Sequence, residues 1–167
     1  MKSKRPGSSL VRNFTFGVED SLASTVGLLS GIAAANVNNS TIIITGLILI
    51  FTEALSMGVG SFLTEESVAE YETKKDPLIS KTLPGALVMF FSYLIAGIIP
   101  IIPYWLFSMP RSLFFSMFLS IGSLSLLGVI NALVSGTSVK NSTLRMLILG
   151  GSVAIAGVVI GSLLSRI

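Results

Sequence analysis

The stretch Thr52-Glu-Ala-Leu-Ser-Met-Gly-Val-Gly60 determines how the rest of this chain is interpreted. It lies inside an apolar run from Ile42 to Leu63, about as long as the roughly 20 residues that an α-helix needs to cross a bilayer. Glu53 and Met57 are spaced so that a helix places both side chains on one face, one turn apart. An ionisable side chain inside a spanning helix is a functional-site candidate. A carboxylate beside a thioether indicates a transition-metal ion.

The composition of the whole chain also predicts a membrane protein. Its 167 residues are 51% hydrophobic and 11% charged, whereas soluble domains carry about 25% charged residues. The chain has no cysteine and no histidine, which excludes disulfides, structural zinc sites and catalysis by Cys or His. Any metal must therefore be held by carboxylate, thioether, hydroxyl, amide or water ligands, and we expect no permanently bound cofactor.

Apolar runs of bilayer length predict an all-α integral membrane protein with five transmembrane helices, in which residues 14–167 form one domain. The expected spans are residues 14–35, 41–64, 83–104, 113–134 and 144–164. Residues 1–13 are predicted to form a cytoplasmic basic arm. Residues 65–82 are predicted to extend the second helix as a short acidic cytoplasmic segment that turns at Thr73–Pro77.

Two kinds of pattern bear on how these helices end and pack. Pro100 and Pro103 are expected to break the third helix, next to Tyr104-Trp105 in the interfacial aromatic belt. Gly27-Leu-Leu-Ser-Gly31 and Gly157-Val-Val-Ile-Gly161 are GxxxG patterns in the first and fifth spans. Such patterns permit close contact between helices and are more often packing than oligomer signals.

The distribution of basic residues predicts the orientation. If the N-terminus is cytoplasmic, nine of the Lys and Arg residues fall on the cytoplasmic side: Lys2, Lys4, Arg5, Arg12, Lys74, Lys75, Lys81, Lys140 and Arg145. Only two, Arg111 and Arg166, fall on the other side. This asymmetry follows the positive-inside rule, and five spans then place the C-terminus outside.

Helix geometry predicts which polar groups share a depth. With a rise of about 1.5 Å per residue, Asp20 lies roughly 9 Å and Met57 roughly 10 Å from the cytoplasmic edge. Glu53 is one turn deeper, where a charge costs about 2.5–3.5 kcal/mol. Because no Lys or Arg lies in a span core, a cation from solution is its natural partner. The candidate metal residues are therefore Asp20, Met57 and Glu53.

Simpler explanations exist for several of these residues. Met57 alone would suit plain packing, and Asp20 would suit a cap on the first turn of its span. On the cytoplasmic extension, Glu66 and Glu70 are one helical turn apart. They would either collect divalent cations at the entrance of a path or belong to a solvated face, with Glu65 and Glu72, that the nearby lysines balance.

Several motifs resemble the vacuolar iron transporter family. Phe16-Gly-Val-Glu-Asp-Ser-Leu-Ala-Ser-Thr25 resembles the opening of its first helix, and Glu53-Ala-Leu-Ser-Met-Gly-Val-Gly-Ser-Phe-Leu63 its second-helix signature. Pro100-Ile-Ile-Pro-Tyr104 and Leu144-Arg-Met-Leu-Ile-Leu-Gly150 resemble the end of its third helix and the start of its fifth. The likeness covers nearly the whole chain.

This resemblance implies a homodimer whose path lies between the first helices of the two subunits. It implies export of Fe2+, and often Mn2+, from the cytoplasm in exchange for protons. Asp20 and Met57 occupy the positions of the path-lining aspartate and methionine, whereas many members have a small residue where this chain has Glu53. Plant and related members insert a long cytoplasmic metal-binding domain after the second helix, but here only about twenty residues separate those spans.

The function that we expect is therefore a divalent-metal exporter, not an enzyme. Its partners would be a second copy of the chain, the lipid bilayer, divalent metal ions and protons, with no nucleic acid. The alternative is a non-transporting membrane scaffold or assembly protein with the same fold. A prokaryotic plasma membrane is the expected location, and a vacuolar membrane is the other one that the sequence allows.

Overall fold

Five α-helices make up the chain, as its computed structural model shows for residues 7–35, 37–74 and 78–164. The helices are α1 (Ser8–Ala34), α2 (Asn39–Thr73), α3 (Ile79–Leu106), α4 (Arg111–Ser135) and α5 (Val139–Leu164). No strand occurs in these residues, so the all-α prediction is confirmed. The expectations for Lys2, Lys4, Arg5, Lys75 and Arg166, and for the turn at 75–77, fall outside the described residues.

Four of the helices, α2 to α5, are long and apolar enough to cross a membrane, judged over the ranges just given. α1 is not among them, because its middle carries Glu19, Asp20, Ser21, Ser24 and Thr25. α1 instead contacts each of the other four helices. Protein rather than lipid therefore covers most of this helix. Ser21 and Ser24 have hydrogen-bond partners on α3.

The helices alternate in direction. α1, α3 and α5 run one way, and α2 and α4 run the other. The start of α1, the end of α2 and the start of α3 thus meet at one end of the bundle. We name it the basic end, because five of the described basic residues lie there: Arg12, Lys74, Lys81, Lys140 and Arg145. α2 continues as one helix to Thr73, as its polar sequence predicted.

The third helix differs from the prediction at its prolines. α3 continues through Pro100 and Pro103 and ends at Leu106, so the expected break does not occur. Side chains from other helices supply hydrogen bonds to its backbone here. The Ser116 hydroxyl donates to the Pro100 carbonyl at 2.7 Å, and the Asn39 amide donates to the Tyr104 carbonyl at 3.0 Å. These bonds tie the proline-containing end of α3 to α2 and α4.

Tyr104 also departs from its expected place. Its side chain is buried in the core with Ile42 and Ile101, whereas its neighbour Trp105 is exposed. The aromatic-belt interpretation therefore fails for Tyr104. Its helix turns this ring towards α2, and the sequence pattern alone does not reveal that direction.

The two GxxxG patterns pack against each other within one chain. A Cβ atom added at Gly157 would collide with the carbonyl oxygen of Gly27, and one at Gly161 with that of Gly31. Only glycine allows the backbones of α1 and α5 to approach this closely. The interpretation of these patterns as packing is confirmed.

Candidate metal site

Asp20 lies well inside α1 and is half-buried. The helix begins at Ser8, with Gly7 as its N-cap residue. Asp20 therefore cannot cap the first turn, and the simple structural explanation of this carboxylate is wrong. The basic segment before it is already helical, because Ser8 to Asn13 continue the helix beyond the predicted start of the span.

The structure brings Asp20 together with Glu53. The two carboxyl groups, from α1 and α2, are close enough to interact electrostatically, and both side chains are half-buried. None of the basic side chains in the described ranges forms an ion pair with either of them. Two like charges in a low-dielectric site repel each other unless protons or a cation lie between them.

Tyr93 completes this group from α3, and it was not among the residues that sequence reasoning selected. Its side chain is 0% exposed, and its hydroxyl is 2.8 Å from the Ser24 hydroxyl on α1. The phenol is also within electrostatic range of Asp20 and Glu53. The signal in the sequence that could have indicated Tyr93 was its hydroxyl group. The residue lies in the middle of an apolar span, where phenylalanine would pack equally well without a polar atom.

Met57 lies one turn of α2 from Glu53, towards the basic end. The side chain is half-buried, and the helical spacing places it on the same face as Glu53. Its role as a metal ligand stays a prediction.

Glu65, the first of the four acidic residues at the end of α2, is held in a different way. Its carboxylate accepts hydrogen bonds from the Asn13 amide at 2.9 Å, from Arg12 at 3.3 Å and from the Ser9 hydroxyl. The side chain is only 13% exposed, and it also packs against Gly85 of α3. We call this contact between α1, α2 and α3 the Glu65 junction.

The other two acidic candidates on this extension are more open. Glu66 is half-buried and Glu70 is exposed. In the described part of the chain, no three acidic side chains come together as a ready-made set of metal ligands. The metal-binding roles of Glu66 and Glu70 stay predictions. The candidate carboxylates that interact with each other within a single chain are Asp20 and Glu53.

The bundle has the features of an integral, multi-pass membrane protein with an ionisable site among its helices. The chain belongs to the VIT family, whose sequence model matches residues 11–83 and 73–162. The family is one of transporters, which agrees with the expectation that the chain is not an enzyme. The resemblance noted in the sequence is thereby confirmed.

Two curated relatives show a more limited similarity. A vacuolar iron transporter from Centaurea cyanus is 32% identical over 65 residues, which are 39% of this chain and 26% of that protein. Vacuolar iron transporter 1 from Eucalyptus grandis is 33% identical over 61 residues, 36% of this chain and 24% of the relative. The aligned part thus spans about a quarter of each relative's length.

Proposed function

We propose that this protein transports divalent transition-metal ions, Fe2+ and also Mn2+, across a membrane. The observation that carries the proposal is the electrostatic interaction between Asp20 and Glu53, which are half-buried on helices that pack together in the bundle. No described basic side chain compensates these carboxylates by an ion pair. A cation that passes through the bundle is the partner that such a pair lacks.

The chemistry of the pair suggests how transport is driven. Carboxylates bind a metal ion only after they lose their protons, so metal and protons compete for the same oxygen atoms. Metal export in exchange for protons follows if the pair opens alternately to the two sides. Met57 would favour Fe2+ over Mg2+ and Ca2+, which prefer sites built entirely of oxygen ligands.

Homodimer formation would complete the ligand set. One chain contributes two carboxylates and one thioether, fewer groups than a partly dehydrated metal ion requires. A twofold axis beside α1 would double this number and place the path between two copies of the first helix. α1 would then cross the membrane as the fifth span, shielded by protein on all sides despite its polar residues.

The basic end supports the orientation that we propose, and the resemblance to the family supports export as the direction. Placing this end in the cytoplasm satisfies the positive-inside rule and puts the C-terminus outside. Metal would enter near Glu66 and Glu70 and leave at the opposite end. Glu65 is engaged with α1, so the entrance would rely on the other acidic residues. A prokaryotic plasma membrane is the location that we propose for this exporter.

Uptake of Fe2+ into proteoliposomes tests the proposal. We expect the wild-type chain to carry Fe2+ and Asp20→Ala and Met57→Ala to lose most of this activity. Glu65→Gln is the matched control, because it removes a carboxylate outside the proposed path and keeps a hydrogen-bond acceptor. If both path variants transport like the wild type, the site assignment is wrong.

A membrane scaffold with the same fold is the second candidate. The observation that favours it is the short connection between Thr73 of α2 and Ile79 of α3, which leaves no room for the metal-binding domain of the plant members. Expression in an iron-sensitive host separates the two functions. An exporter restores growth in excess iron, whereas a scaffold does not.

A further inference from the structure

The hydroxyl groups of Tyr93 and Ser24 form a partly buried pair within electrostatic range of the Asp20 and Glu53 carboxyls. Ser24 is one helical turn from Asp20, so both project from the same face of α1. The Tyr93 hydroxyl lies 2.8 Å from the Ser24 hydroxyl. These two neutral oxygen atoms come from two different helices, and that of Tyr93 lies within electrostatic range of both carboxylates.

The position of Tyr93 is fixed by contacts that do not involve its hydroxyl. The Ser21 hydroxyl donates a hydrogen bond to the Tyr93 backbone carbonyl at 2.6 Å. One turn further along α3, a Cβ atom at Gly97 would collide with Ile50 of α2 and approach Ser21 of α1. α3 is thus pressed against both helices that carry the carboxylates. Its phenol ring can neither turn away nor reach lipid.

Counting hydrogen atoms shows what the hydroxyl pair can do. Two hydroxyl groups carry two hydrogen atoms, and only one of these is used between them. The weak 3.5 Å contact from Ser24 to the Ser21 carbonyl engages the other only marginally. The second hydrogen atom therefore has no strong acceptor among the described residues. When a cation occupies the site, rotation about the C–O bond turns a lone pair towards it.

We infer that Tyr93 is a specificity-determining residue of the metal path, which acts through the hydroxyl pair that it forms with Ser24. The pair adds neutral, hard oxygen atoms to a site that already has carboxylates. Mn2+ is well served by such oxygen ligands, whereas Fe2+ gains more from a sulfur ligand such as Met57. The inference rests on the proposed metal-transport function and deepens it by assigning the choice between cations to particular side chains.

Equilibrium binding to the full-length protein in micelles tests this inference, with Mn2+ and Fe2+ as separate probes. Tyr93→Phe keeps the ring and removes only the hydroxyl. We expect Kd for Mn2+ to rise by about tenfold and Kd for Fe2+ to change by less than about twofold. Ser24→Ala should reproduce this shift, and the double variant should add little, because the two hydroxyl groups act as one unit.

Tyr104→Phe is the matched control. Tyr104 is another buried tyrosine of α3, but it packs in a separate core cluster near the opposite end. A merely structural role for Tyr93 would alter thermal stability and leave the ratio of the two Kd values unchanged. An unchanged ratio in Tyr93→Phe overturns the inference, as does an equal shift in Tyr104→Phe.

The same measurements separate this inference from the proposed function. If the wild-type protein binds both metals, the Kd for Mn2+ rises selectively in Tyr93→Phe, and yet neither ion is carried into proteoliposomes, transport alone is overturned. A protein that carries both ions with an unchanged Kd ratio in the variant would overturn the role of Tyr93 alone. A wild-type chain that binds neither ion would overturn both.

Discussion

Glu53 and Glu65 are carboxylates on the same helix, and their surroundings are opposite. Glu65 accepts hydrogen bonds from three side chains of α1, one of them the cationic Arg12. Glu53 has another carboxylate, Asp20, as its electrostatic neighbour, and no described basic side chain is ion-paired with it. The first arrangement uses its charge to hold helices together, whereas the second leaves its charge available to an ion.

This difference teaches that burial of a charge does not by itself reveal its purpose. Glu65 is largely buried, and a buried carboxylate is often taken for a functional one. Its hydrogen-bond partners instead identify it as a structural group. The Asp20–Glu53 pair is costly for the fold, since like charges in a low dielectric destabilise each other. A destabilising pair of carboxylates inside a membrane bundle is best explained by a functional role of the pair.

The largest effect that we expect comes from Asp20→Asn. Loss of one charge should reduce Fe2+ transport by about 100-fold, as removal of a metal-site group does elsewhere. Resistance to denaturation should stay the same or rise, because the repulsion with Glu53 is removed. Proteoliposome uptake and a thermal melt of the same preparation measure both. Glu65→Gln serves as the control, and a destabilised Asp20→Asn protein would contradict this view of the pair.

Glu65→Ala should act on the fold. Asn13, which is 2% exposed, would lose the acceptor of its amide. We expect the free energy of unfolding to fall by about 2 kcal/mol, or about 30-fold in the unfolding equilibrium. An SDS titration measures this loss, while KM for metal should not change. The exposed Glu70→Ala is the comparison variant, and an equal effect of the two would argue against the Glu65 junction.

Glu53→Gln should have a smaller effect than Asp20→Asn. The proposed path would keep the Asp20 carboxylate, so we expect transport to fall by about tenfold. The double variant Asp20→Asn/Glu53→Gln should be no worse than Asp20→Asn alone, because neighbours in one site are not additive. Uptake rates of the three proteins decide this. A greater loss in Glu53→Gln than in Asp20→Asn would reverse the assigned importance of the two residues.

Arg12→Ala should have the smallest effect. The Arg12 side chain is 59% exposed, and solvent screens an ion pair of this kind to less than about 1 kcal/mol. Glu65 would keep its bonds from Ser9 and Asn13. The free energy of unfolding, measured at low and high salt, tests this prediction. Any difference in stability between Arg12→Ala and wild type should shrink as salt is added. A difference that grows with salt would require another explanation.

The sequence predicted the helices well because apolar length and polar turns are local properties. The continuation of α2 to Thr73 and the close packing of the GxxxG patterns were both visible before the structure. The predicted break at the prolines of α3 was wrong because it depends on contacts with residues that are distant in the sequence. Whether Pro100 interrupts a helix depends on how the surrounding helices pack against it, and α4 contacts it through Ser116.

The candidate site was predictable only in part. The spacing along α2 places Glu53 and Met57 on one face, and the estimated depths bring both near the level of Asp20. Neither the spacing nor the depth shows which side chains approach each other. Tyr93 was missed because its partner Ser24 is on another helix. Glu65 could not be distinguished from Glu66 and Glu70, because helical spacing describes one helix and says nothing about the surface that it faces.

The glycine contact between α1 and α5 affects how a ribosome can deliver this protein to a membrane. α1 completes its packing only when α5 is in place, since Gly27 and Gly31 meet Gly157 and Gly161. α1 is also the helix whose composition is least suited to lipid. A nascent chain in which α5 has not yet formed would therefore leave one side of this polar helix uncovered, so the stable insertion of α1 depends on a helix synthesised much later.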